Sequence, residues 1–273
     1  MASLTVRSPN LTISGDLASG KSTVAKKVAA RLGIRRLTIG DVYRRLADQR
    51  GLTAVEMAHY VESHPEIDEE LDRLQADLAS GEEPVVVDSR LGWLFVAGAF
   101  KVHLVVDPTV AAARALARPA TATEAYADLD AAAAGLSERA ESERRRFLEL
   151  YGVDKDRLRH YDLVCDTTRA DPAVIVDLVV DAYHAWQPGQ EVQLFIAPQR
   201  VSIGPDLVDA DPRGKVAVAY ARPRFGALSG RETLRQALRD DSDGVPAVLV
   251  AEEDEEVRPG LSAREYVSKL PGR

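Results

Sequence analysis

The chain has 273 residues, 45% hydrophobic and 29% charged, with a formal net charge of −8. This is an ordinary globular composition, long enough for one sizeable core and a smaller appended unit. The acidic balance argues against a large nucleic-acid footprint, and a single cysteine, Cys165, excludes an internal disulfide and fits a reducing cytoplasm.

The N-terminus runs into the first strand with no evident signal peptide. That strand opens LTISGDLASGKSTVAKKVAARLG, Leu11 to Gly33. Gly15, four residues, then Gly20-Lys21-Ser22 satisfy G-x-x-x-x-G-K-[ST], between a short apolar strand and an amphipathic helix ending at Gly33. A glycine loop opening a helix aims backbone N–H groups and the positive helix end at one point, which suits the phosphates of ATP. The spacing assigns Gly15, Asp16, Ala18 and Ser19 to the loop and Gly20, Lys21, Ser22 and Thr23 to its junction with the helix. Lys21 reaches the β/γ-phosphates, and the Ser22 hydroxyl holds Mg²⁺. Asp16 is the unusual member. An acid roughly 8 Å from a phosphate costs about 0.5 kcal/mol at a water-like dielectric and about 2 kcal/mol at an effective value of 20. The expectation is that it points outward and meets an arginine when the site closes.

Next, RLTIG reads as a strand that Gly40-Asp41 turns into a helix bearing Arg44 and Arg45, and PEIDEELDRLQADLAS reads as an amphipathic helix. PVVVDSR is a third strand with Asp88 and Arg90 at its carboxyl end. LGWLFVAGAFKVHLVV reads as a loop and a strand, because Lys101 and His103 and its short length exclude a membrane span. PTVAAARALAR is a helix. Residues 119–146 are polar and alanine-rich, with arginines gathered at the end, as in a mobile helical lid. YDLVCDTT is a strand holding Cys165 as a small buried hydrophobe, and PAVIVDLVVDAYHAW is a helix. This alternation predicts an α/β fold, a parallel sheet covered on both faces with its ligand at the strand carboxyl ends.

QPGQ, Gln187 to Gln190, marks a boundary. Residues 1–186 form a P-loop unit whose strands suffice for its sheet, and 191–273 form a small α+β unit. In the latter, EVQLFIAP, KVAVAYARP and VPAVLVAEE read as strands, GRETLRQALRD as a helix and the acidic run Glu252 to Glu256 as a solvated turn. Nothing there carries recognisable chemistry, and no signal of oligomeric state is present.

The carboxyl ends of the second and third strands fall on the rim that carries the glycine loop. Asp88 there can hold Mg²⁺ through water, and the guanidinium forks of Arg44 and Arg90 can grip a second phosphate, with Asp41 beside them.

Six segments in order, GDLASGKST, IGDVYRRLA, HPEIDEELDRLQ, VVVDSRLGW, SERAESERRRFLELYGVD and YDLVCDTT, resemble the nucleoside monophosphate kinases, most closely the short archaeal-type cytidylate kinases. The resemblance spans about Leu11 to Ala185. It implies transfer of the ATP γ-phosphoryl group to a pyrimidine nucleoside monophosphate such as CMP or dCMP. It also implies that Arg44 and Arg90 hold the acceptor phosphate, Arg73 completes the acceptor site, and Arg139 and Arg146 are lid arginines. In RAESERRRF, alanine and phenylalanine replace an acid and a tyrosine of the family pattern. A kinase for another small or unusual nucleotide, or an ATP-dependent switch, are the alternative readings.

Overall fold

The computed structural model describes residues 9–79, 81, 83–119, 125–205, 207 and 215–271. β1 (Leu11–Gly15) passes through the glycine loop into α1 (Lys21–Leu32), which stops at Gly33 in the left-handed conformation. β2 (Arg35–Thr38) leads into α2 (Ile39–Arg50). α3 (Ala54–Glu62) opens on a capping box of Thr53 and Glu56, and α4 (Pro65–Ala79) follows. Then come β3 (Val85–Asp88), the single turn α5 (Gly92–Phe95), β4 (Phe100–Val105) and α6 (Pro108–Leu116). The long helix α7 (Leu129–Tyr151) precedes β5 (Leu163–Asp166) and α8 (Pro172–Ala185).

The remainder supplies β6 (Gln193–Ile196), β7 (Val201–Ser202), β8 (Val216–Ala221), β9 (Arg224–Ala227) and α9 (Arg231–Arg239). β10 (Val245–Glu252), β11 (Glu256–Arg258), β12 (Leu261–Ser262) and α10 (Ala263–Ser268) complete the chain.

The large sheet runs β2-β3-β1-β4-β5-β6-β10-β8-β9-β7, with parallel pairing from β2 through β6. Near-continuous apolar strands such as VVVD, every residue buried, suit a parallel sheet covered on both faces. On one face, Val24 and Val28 of α1 and Ile175 and Val179 of α8 pack over Ile13 and Leu104. The second core joins Phe147, Leu158, Tyr161 and Val164 to Ile196, Val218, Tyr220 and Phe225.

The sheet therefore continues past the Gln187–Gln190 turn. β6 pairs with β5 in the register Leu163↔Gln193 and Cys165↔Phe195, and β10 joins β6 antiparallel. The expectation that the first unit closes its sheet alone is corrected here: β5 has a second hydrogen-bonding edge, and EVQLFIAP satisfies it. One residue of the acidic run also departs from the solvated turn expected of it, while Asp254 and Glu256 are exposed as expected. Glu252 is fully buried and accepts the Leu158 N–H at 2.7 Å and the Arg159 N–H at 3.2 Å.

α7 forms the helical part of the expected lid, but it runs on to Tyr151 and packs against α3 and α6 with Leu136, Arg139, Glu143 and Phe147 buried. Residues 120–124 of that lid, like residues 1–8, lie outside the described residues. LGWLF, expected as loop, makes the turn α5; α3, α10 and the short strands β7, β9, β11 and β12 were not expected. Cys165 is buried in β5, as expected. No helix among the described residues is long and apolar enough to cross a membrane.

Candidate active site

At Gly15 a Cβ would stand 2.7 Å from the Leu104 carbonyl oxygen, so only glycine lets β1 approach β4 this closely at the start of the loop. Gly20 caps α1 in the left-handed conformation, φ 84°. The next N–H groups, of Lys21 and Ser22, occupy the first turn of α1, where the helix offers no acceptor. The loop is held from behind: the Asp16 N–H donates to Leu104 O at 2.9 Å and the Ser19 N–H to Asp16 O at 3.2 Å.

The Asp16 side chain turns into the protein. Its Oδ2 accepts the Val106 N–H at 3.0 Å, and its Oδ1 lies 3.7 Å from His103 Nε2. Burial opposes its charge, but the hydrogen bond and charge of His103 hold the carboxyl below the usual carboxylate range. The partners of Asp16 in this structure are an imidazole and a main-chain amide. Asp16 braces the loop against the end of β4, its side chain bonded to the Val106 N–H and its own N–H to Leu104 O, while still lining the cavity.

Lys21 forms an ion pair with Asp88, whose other oxygen takes Arg36 Nη2 at 2.7 Å. Burial lowers the Lys21 pKa, Arg90 and Arg44 add to that, and Asp88 opposes it. Burial in turn works against the Asp88 carboxylate, yet Lys21 and Arg36 keep its pKa below the ordinary value. Arg36 escaped the sequence reading because its partner is supplied by the neighbouring strand β3.

A cavity of about 430 Å³ opens over the loop, walled by α2, α4 and α7. Arg90 Nε meets Glu143 Oε2 at 2.5 Å, and Arg139 Nε lies 3.4 Å from Glu143 Oε1. Burial disfavours charge on Glu143, but Arg90 and Arg139 hold its pKa down. Arg146 Nε meets Asp68 Oδ2 at 2.7 Å, and burial raises the Asp68 pKa against the pull of Arg146. Arg44 lines the cavity while bound to Asp41, an exposed pair at the rim. Asp41 itself is absent from the cavity wall, as is Asp88, which sits beneath Lys21.

Arg73 is corrected. Its side chain is 74% exposed and bonds Glu69, outside the cavity. Successive helical residues are about 100° apart, so Asp68, Asp72 and Gln75 share the inward face and Arg73 turns away. Asp72 holds the Tyr151 hydroxyl and accepts Gln75 Nε2 at 3.1 Å; burial raises its pKa to about 6. Gln75 accepts the Ser89 hydroxyl. The hydroxyl of Tyr43 is buried in the cavity wall with no protein hydrogen-bond partner among the described residues. Asp72, Gln75 and Tyr43 were missed, although the period of EIDEELDRLQ carries the signal for the first two.

The arrangement can receive anionic groups at two places, one at the loop and the α1 N-terminus and one among Arg90, Arg139 and Arg146. A glycine loop on a parallel sheet, facing a second arginine-bearing wall across one cavity, defines a P-loop kinase. The profile of the cytidylate kinase-like family matches residues 10–169, and the chain belongs to that family. It is 36% identical over 173 residues to a cytidylate kinase of Archaeoglobus fulgidus, covering 63% of this chain and 93% of that one. With a cytidylate kinase of Halobacterium salinarum it shares 39% over 180 residues, 65% of this chain and 90% of the other. A solved shikimate kinase from Bacteroides thetaiotaomicron aligns over 65% of this chain and 97% of its own, at 14% identity and a TM-score of 0.42.

Proposed function

We propose that the chain transfers the γ-phosphoryl group of ATP to a pyrimidine nucleoside monophosphate, CMP or dCMP, releasing ADP and the nucleoside diphosphate. The observation that carries this reading is the pairing, in one cavity, of the loop Gly15–Ser22 with the arginine wall of Arg90, Arg139 and Arg146. A phosphate oxygen of the acceptor attacks the γ-phosphorus as the bond to the β-γ bridging oxygen breaks. Little covalent chemistry is asked of the protein beyond positioning and charge neutralisation.

Lys21 exchanges Asp88 for the β/γ-phosphates, and the loop N–H groups receive the remaining oxygens. Arg90 and Arg44 orient the acceptor phosphate, while Arg139 and Arg146 offset charge on the transferring group. Mg²⁺, bound with ATP, would supply charge neutralisation on the phosphates. Ser22 on the first turn of α1 would hold it directly and Asp88 through water. That donor set fits, because Ser22 lines the cavity and Asp88, paired with Lys21 beside it, is held as a carboxylate by Lys21 and Arg36. Asp72 with Gln75 suits cytosine, whose exocyclic amine donates where the uracil O4 only accepts. Residues 9–186 hold every group used here, and 191–273 extend the sheet. A cytoplasmic location is part of this proposal, supported by the use of ATP as donor and by the single cysteine, Cys165, being free.

The test is ADP release with CMP, dCMP, UMP and AMP as acceptors. Turnover with CMP or dCMP is expected; turnover with none of the four would overturn the assignment in favour of another acceptor or a nucleotide switch.

A further inference from the structure

The family match ends at residue 169, and more than a third of this chain lies outside each alignment with the two relatives. The added strands nevertheless reach the phosphate loop. Asp166, the last residue of β5, is fully buried. Its Oδ1 accepts the Thr168 N–H at 2.9 Å, and its Oδ2 accepts Arg200 Nη1 at 3.0 Å and the Ala197 N–H at 3.4 Å. Arg200 precedes β7, and its side chain is 7% exposed. It is itself fixed by the extension: Nη2 donates to Pro223 O at 2.7 Å, and the guanidinium lies 5.4 Å from the Phe225 ring centroid.

Between Asp166 and Thr168 stands Thr167, whose hydroxyl donates to Ser19 O at 2.9 Å, with Val105 O at 3.2 Å as a second acceptor. Arg114 Nη2 grips the Thr167 carbonyl at 2.6 Å. The Ser19 carbonyl belongs to the residue directly before Gly20-Lys21-Ser22. The turn carrying Thr167 is thus anchored at one side by Arg200, and through one hydroxyl it sets the back of the loop.

We propose that Arg200 is a positioning residue for the donor site, acting through Asp166 and Thr167 on the phosphate loop. Without Arg200, buried Asp166 keeps two main-chain N–H donors and the nearby charge of Arg114 but loses the one cation that hydrogen-bonds it. Such a group is costly to leave uncompensated, so the 166–168 turn shifts to relieve it. A displaced Thr167 then releases Ser19, and the N–H groups that meet the donor phosphates lose their alignment. This proposal rests on reading the loop as the ATP site, and its assay is direct ATP binding, which needs no acceptor.

The experiment is ATP titration by calorimetry on the full chain, with KM values for ATP and CMP alongside. Arg200→Gln should raise the ATP Kd and KM about tenfold and leave the CMP KM within about twofold, the pattern of a loosened supporting shell at one subsite. Arg200→Lys keeps the charge facing Asp166 but loses the fork that also holds Pro223 O, so it should recover part of the loss and leave the ATP Kd about threefold above the parent. Thr167→Val should reproduce the Arg200→Gln defect, and the double variant should lose less than the product of the two, since both act through one contact.

Arg159→Ala is the control. That arginine lies at the same seam but bonds Glu255 and Val250 O at the exposed rim, so ATP binding should stay unchanged. Arg200→Gln with parental ATP affinity, an equal loss in Arg159→Ala, or multiplying defects in the double variant would each overturn the proposal. If Arg200→Gln does not fold, the Arg200→Lys and Thr167→Val comparison decides. A parent that binds ATP but turns over none of the monophosphates refutes the acceptor assignment alone.

Discussion

Ending the chain after Trp186 removes β6 and every strand beyond it, and the structure sets the size of the effect. Phe147, Leu158, Tyr161 and Val164 belong to a core whose other members include Ile196, Val218, Tyr220 and Phe225. Full burial of such side chains contributes about 1.5–3 kcal/mol each, so losing cover on one side only, about half that value, removes roughly 3–6 kcal/mol from the four. Whole domains are stable by about 5–15 kcal/mol, so a loss of this size is a large fraction of the total. The truncation also bares the β5 edge that pairs with Leu194 and Phe195, an open template for association. The sequence alone favoured a soluble, active product; with the sheet continuous through β6, the expected outcome is aggregation or a markedly lowered unfolding midpoint. Size-exclusion chromatography, urea denaturation and ADP release with CMP check it. A monodisperse fragment with the parental unfolding midpoint would refute the reasoning, because it would show that the shared core contributes little.

Lys21→Ala should reduce kcat below about a tenth of the parent, as expected for a group serving transition-state charge. Asp88 keeps Arg36 but loses one of two cations, so stability should fall by about 1–3 kcal/mol, and urea melts separate the two effects. Arg90→Ala should raise the acceptor KM about tenfold or more while the ATP Kd moves little, the loss expected for a charged hydrogen-bonding partner; equal changes in both would assign Arg90 to the donor side. Asp72 gives a pH signature. Its folded pKa, about 6, is raised above the ordinary 3.8, so the native chain binds its proton more tightly than the unfolded chain does. The stability it contributes is present below about pH 4 and is lost as pH rises to about 6. The stability of Asp72→Asn relative to the parent should therefore climb from pH 4.5 to 7, and a constant difference would contradict the raised value.

Local pattern carried much of this protein. The spacing of Gly15, Gly20, Lys21 and Ser22 fixes a loop and a helix start, because a few backbone angles and one dipole decide them. Burial on both faces makes VVVD and VHLVV recognisable as parallel strands from composition alone. Helical period could also have placed Asp72 and Gln75 inward and Arg73 outward, since that follows from the 100° step.

Tertiary structure decided what depends on partners distant in sequence. Asp16 turns inward because the Val106 N–H and His103 come from a neighbouring strand. Glu252, within an acidic run that by itself reads as solvated, is buried because Leu158 and Arg159 offer it two N–H groups. The sheet passes Gln187–Gln190 because the second edge of β5 must be satisfied, and no local signal says which strand will do it. Hydrogen-bonding groups and charges are paid for by whichever partner the folded chain brings within about 3 Å, and sequence distance does not enter that choice.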